Sequence, residues 1–182
     1  MRTALKEWAV VVQALERGEQ VLLLRKGGLA DRGGVFRPEH DRFLLYPTHE
    51  HQRPDLLKEA YRAAAAEPVP ASQAVRFTSH ASLGGVFPVK ALEQLESLDG
   101  EHIWSVQHVR ARWEYKPDRP LLALTLRVYR LLVPQSSPFH ARYTGCRSWV
   151  PLEADVPTEP SVAALDEDAF GERQERIRRA LG

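Results

Sequence analysis

Three apolar strand-like segments carry cations where a plain core has no use for them. Arg25 shares an alternating face with Val21 and Leu23, and Lys26 follows Leu22 and Leu24. Arg127 and Tyr129 share one face of a long apolar segment, and Arg147 and Trp149 repeat that two-residue spacing. A cation beside an aromatic ring suits a planar group linked to phosphate: the charge pairs with the phosphate and the ring stacks on a base. With Tyr46 from a neighbouring segment, the candidate ligand site is Arg25, Lys26, Tyr46, Arg127, Tyr129, Arg147 and Trp149. The plainer alternative for each pair is an arginine at a strand end, its stem on apolar surface and its head in water.

The densest polar cluster is Glu39-His40-Asp41 followed by Thr48-His49-Glu50-His51-Gln52. Imidazole and carboxylate are donors for a divalent metal, so Glu39, His40, Glu50 and His51 form a candidate metal or polar cluster with Gln52. A metal-dependent nuclease needs acids to hold metal and a lysine nearby; here glutamine stands in the lysine's place. The alternative is that Thr48, His49 and Glu50 cap a following helix. Trp104, His108 and Arg112 repeat at helical spacing and share a face. Such a face can touch nucleic acid, or half-bury a tryptophan beside its neighbours. Cys146 has no base near it in sequence and reads as packing. No complete catalytic motif is present, so the sequence names no reaction.

The chain has 182 residues, 43% hydrophobic and 27% charged, with a formal charge of +1. These are the proportions of an ordinary soluble domain. One cysteine excludes an internal disulfide and a thiolate zinc site. No apolar run is long enough to span a membrane, and Met1 to Glu7 runs into charge without the apolar core of a secretion signal, so secretion is not expected. A bacterial-type cytoplasmic protein with no membrane partner is expected. Residues 151–182 hold eight acids against four arginines, so positive charge gathers in residues 1–150. That permits a phosphate-bearing partner.

The elements that must position these residues follow from periodicity. Strands are expected over 8–13, 21–24, 43–46, 74–79 (continuing through a Gly84-Gly85 kink to 89), 121–133 and 146–152. Helices are expected over 54–66, 92–98 and 102–113, with a turn ending at Gly18 and a final helix capped by Asp166. Pro151, Pro157 and Pro160 suggest a stiff linker. The expected organisation is a single α+β core domain over 1–152, with 153–182 as a linker and an acidic, arginine-rich helix. That helix has only a thin apolar stripe, Phe170, Ile177 and Leu181, and is expected to dock peripherally.

Several segments resemble an uncharacterised bacterial family, domain of unknown function DUF1802. They are Ala4 to Ala9, Leu22 to Gly28, Phe43 to Thr48 with His51-Gln52, Leu126 to Tyr129, and Gly145 to Val150. The resemblance spans 4–152 and implies no activity. More distantly, Ala14 to Gln20 leading into Leu24-Arg25-Lys26 resembles the opening of PUA-like barrels, including the ASCH and EVE variants. That implies a small, mixed, partly open β-barrel with peripheral helices, of a kind that mostly binds RNA or modified bases. No glutamate precedes Arg25 as in that pattern, so no ligand role is transferred. The similar opening of Nudix hydrolases lacks its glutamate-rich helix here.

Three functions stay open on sequence: a nucleic-acid or nucleotide-binding module (RNA, DNA or nucleotide), a metal-dependent nuclease or phosphodiesterase using Glu39, His40, Glu50 and His51, and a protein-interaction module without ligand. A divalent metal is implied only by the second.

Overall fold

The computed structural model describes residues 1–26, 40–67, 73–145 and 148–182. Its strands are β1 (Thr3–Trp8), β2 (Leu22–Lys26), β3 (Arg42–Thr48), β4 (Ala74–Val89), β5 (Leu121–Pro138), β6 (Trp149–Pro151) and β7 (Ser161–Ala163). The helices are α1 (Ala9–Glu16), α2 (Glu59–Ala66), α3 (Leu92–Ser97), α4 (Val106–Glu114) and α5 (Glu167–Leu181). One mixed sheet runs in the order β2-β5-β4-β3-β1-β6, and β7 pairs with β5 past the stretch that β2 occupies. Among the described strands only β1 and β3 pair in parallel; the other pairs are antiparallel. The sheet does not close, and the fold is the expected mixed α+β with a partly open sheet and a terminal helix.

The long hairpin-like pair β4–β5 is the spine. Two register shifts, between Phe77 and Ser79 and between Leu83 and Gly85, bend β4 so that it can pair with β3 as well as along β5. The second shift adjoins Gly84. A Cβ there would lie 2.9 Å from Phe170 and 2.7 Å from Gln174, so glycine lets α5 sit directly on the sheet.

Residues 8–13, expected as a strand, instead enter α1. Val10, Val11 and Val12 favour strand locally, yet every residue of 9–12 is buried, along with Ala14 and Leu15. An all-round apolar run carries no alternation, and tertiary burial overrides the β-branched preference. Gly18, at φ +68°, closes the helix as expected from its type. The helix expected over 54–66 splits into a 3-10 turn at Pro54–Leu56 and α2, because Leu57 leaves to bridge Trp104. The helix expected from 102 begins at Val106, where the Ser105 hydroxyl accepts from the His108 amide and caps it.

The α5 stripe is narrow but deep: Phe170, Ile177 and Leu181 are all buried in the principal core. Asp166 caps the helix by accepting from the Ala169 amide. Arg173 and Arg176 bind the buried Glu101, at 2.7 and 3.0 Å, so one carboxylate holds two successive arginines of α5. No described helix is long and apolar enough to cross a membrane.

Candidate functional site

A cleft of about 320 Å³ opens where the end of β1 meets β2, the turn after β3, and α4. Lys6, Glu7 and Trp8 come from β1, Leu24 and Arg25 from β2, and Thr48, Glu50 and His51 from the end of β3 and its turn. Trp104, His108, Arg112, Gly145 and Ser148 complete the lining. Gly145 and Ser148 flank Cys146 and Arg147, which lie outside the described residues, as does Glu39.

Charge in the cleft is tightly organised. Arg25 donates to the Glu7 carboxylate at 2.9 Å and to the Lys6 carbonyl at 3.0 Å. The buried Lys6 ammonium donates to the Gly145 carbonyl at 3.2 Å and stands 3.6 Å from the Glu50 carboxylate. Arg112 donates to the Leu24 carbonyl at 3.3 Å, and no described carboxylate comes within ion-pair distance of it. Burial, and then the neighbouring Arg25 charge, push the Arg112 guanidinium below its ordinary value, while Glu7 pulls the other way. A partly buried guanidinium without its own counterion is costly, and an anion placed beside it removes that cost.

Part of the lining is aromatic. The rings of Trp8 and His108 lie 5.5 Å apart and those of Trp104 and His108 6.2 Å apart, both tilted. Burial, helped by Arg112, pushes His108 down to about 4, so its imidazole is neutral at physiological pH. This part of the lining therefore offers rings without adding charge.

The residues expected to form one ligand site separate into several places. Arg25 lines the cleft. Tyr46 lies behind it, 5.5 Å from the Lys6 ammonium, packed on Phe77 and Tyr143 and pushed up to about 12 by burial and then Glu50. Lys26 turns toward a second cleft of about 470 Å³, where it donates to the Trp113 carbonyl and faces that ring at 5.5 Å. Arg127 pairs with Glu167 of α5 and lies over Tyr129 and Phe170, at 5.7 and 5.9 Å. Tyr129 stacks on the buried His80 at 5.0 Å and 10°. Trp149 packs edge-on against Phe43 and His40.

The polar cluster also divides. Glu50 and His51 reach the mouth of the cleft, His51 at φ +59°. His40 stays with Trp149. Gln52 accepts from the Val10 amide at 3.1 Å and donates to the Ala65 carbonyl at 3.0 Å, joining the start of α1 to the end of α2. Among the described residues no three His, Cys, Asp or Glu side chains gather as a metal ion would need.

Sequence reasoning singled out Arg25, Glu50 and His51, and the Trp104–His108–Arg112 spacing, but gave Lys6, Glu7 and Trp8 no chemical role. A lysine and glutamate side by side between the apolar Ala4-Leu5 and Trp8-Ala9 were the available signal.

Fold and cleft together define an α+β protein whose open sheet curls around a charged, partly aromatic cleft. The chain belongs to the family described as domain of unknown function DUF1802, whose model matches residues 4–176, further than the span 4–152 read from sequence. Among solved structures the chain is similar to ASCH from Zymomonas mobilis, with 15% identity, 97% of this chain and 93% of that chain covered, and a TM-score of 0.48. It is also similar to a mutant of that protein, with 13% identity, 95% and 96% covered, and a TM-score of 0.47. No curated protein sequence matches the chain.

Proposed function

We propose that the cleft binds a phosphate-bearing nucleotide, free or as part of RNA or DNA. The observation that carries this reading is Arg112, a partly buried guanidinium with no carboxylate partner among the described residues, beside Arg25 in a cleft that Trp8 also lines. Phosphate is the anion that a planar guanidinium matches, and the half-buried rings of Trp8 and His108 offer stacking surface for a base, with the buried Trp104 packed behind His108. A cleft of about 320 Å³ lies at the small end of ligand sites, which suits one nucleotide unit better than a length of duplex. The Arg127–Tyr129 pair stands outside this proposal because Glu167 already neutralises its cation.

The test is calorimetric titration of short single-stranded oligonucleotides and of mononucleotides at low salt, with Arg112→Ala beside the parent protein. Saturable binding that the substitution weakens by about tenfold or more supports the reading, the scale of a hydrogen bond to a charged group. No binding to RNA, DNA or nucleotide at low salt overturns it.

A further inference from the structure

Among the described residues, the charges around the cleft match in pairs, with one left over. Arg25 is matched by Glu7 at 2.9 Å, and both side chains are nearly buried. Lys6 is matched by Glu50 at 3.6 Å, with Glu50 about half exposed at the mouth. Arg112 has no acidic partner among the described residues, and its neighbour His108 is neutral. Resting on the nucleotide reading above, we infer that the cleft selects a phosphate carrying one negative charge, a phosphodiester, over a terminal phosphate monoester carrying two.

The chemistry of the two phosphates separates them at this site. A phosphomonoester has a second ionisation near pH 6 and so approaches two charges above neutrality. A diester has one acidic oxygen and keeps a single charge. A diester seated at Arg112 completes the balance and leaves the other two ion pairs intact. A monoester brings a second charge for which no free cation remains among the described lining residues, and Glu50 at the mouth repels it. Glu50 thus acts as a specificity-determining residue, the opposite of a residue that attracts ligand through a metal.

Adenosine 3′,5′-cyclic phosphate and adenosine 5′-monophosphate share base and sugar and differ in this charge. The dinucleoside monophosphate of adenosine, with no terminal phosphate, is the linear diester. Titrations at pH 8, above the free histidine range, compare all three on the parent protein and on Glu50→Gln. Both diesters are expected to bind about two- to fivefold more tightly than the monoester, the range of a partly exposed ion pair. In Glu50→Gln the monoester should gain by a similar factor relative to the diesters. Glu50 is exposed enough that its replacement leaves the core untouched, and a circular dichroism melt checks this. Equal or tighter binding of the monoester by the parent, or no relative gain in Glu50→Gln, overturns the charge selection while the nucleotide reading stands. Absence of binding by all three ligands overturns both.

Discussion

Arg25 reaches from β2 to β1, donating to the Glu7 carboxylate at 2.9 Å and the Lys6 carbonyl at 3.0 Å. In the hydrogen-bonded order of the sheet, β5, β4 and β3 lie between those two strands. The sheet therefore curls until its β2 edge faces β1, and a side chain joins them where no backbone ladder does. The residue that closes this seam also lines the cleft, so the site's geometry and the curvature of the sheet depend on one another.

Removing Arg25 leaves the Glu7 carboxylate nearly buried without its cation. Breaking a buried pair from one side costs about 3–5 kcal/mol, whereas replacing both partners with apolar groups costs much less. Arg25→Met should lower the urea unfolding free energy by that amount, and Arg25→Met with Glu7→Leu should recover most of it. A decrease below about 1 kcal/mol for the single variant would place the pair in solvent-like surroundings.

Binding should depend on Arg112 and not on Arg127. Where binding is driven by phosphate neutralisation, the slope of log affinity against log salt on a single strand is about −0.7 per neutralised phosphate. Arg112→Ala should make that slope shallower by about the value for one phosphate. Arg127→Ala should leave it unchanged, because Glu167 holds the guanidinium. A salt titration of oligonucleotide affinity for both variants checks this. The reverse pattern would move the interface to the face beside α5.

Much of the scaffold was legible in the sequence, and particular residues mark where it stopped. β4 declares itself by its alternation over 74–79 and β5 by its apolar run over 121–133, although β5 continues through Pro134 to Pro138. The run Val10-Val11-Val12 carries the same local preference yet is helical, because burial on nearly every side erases the alternation that separates strand from helix. In the site, Arg25 was visible as a cation after three leucines, but its partner Glu7 was not, since pairing across a curled sheet leaves no mark on spacing. Arg127–Tyr129 read as strongly as Arg25 for the same reason: nothing local reveals that Glu167, on a later helix, takes its charge.

The terminal helix and the body should unfold as one unit. Ile177 is fully buried in the principal core, and Arg173 donates to Glu101 and to the Gly18 and Glu19 carbonyls. Ile177→Ala should cost about 2–5 kcal/mol, as for other buried large-to-small changes. Removal of residues 160–182 takes away Phe170, Ile177 and Leu181 together and should abolish the cooperative thermal transition. A retained sharp transition in that truncated chain would show that residues 1–152 fold by themselves.

Stability should fall as pH drops from about 6.5 toward 4, and His102 should account for part of the fall. Burial, and next the charge of Lys58, push the folded-state His102 down to about 4. The unfolded chain's histidine protonates near 6.5. Between those values the unfolded state binds the proton and the folded state does not, so the stabilisation is present in full above 6.5 and is lost as pH falls toward 4. One such group gives a slope of at most about 1.4 kcal/mol per pH unit, and carboxylates protonating in the same range add their own. The contribution is therefore read as a difference: urea unfolding at pH 7, 6 and 5 for the parent and for His102→Gln. The variant should be less stable at pH 7 and lose less stability on acidification, bringing the two proteins closer at pH 5. Parallel pH profiles would mean that His102 takes up its proton as readily in the folded protein as in the unfolded one, and that its burial among Trp104 and its neighbours is relieved by solvent.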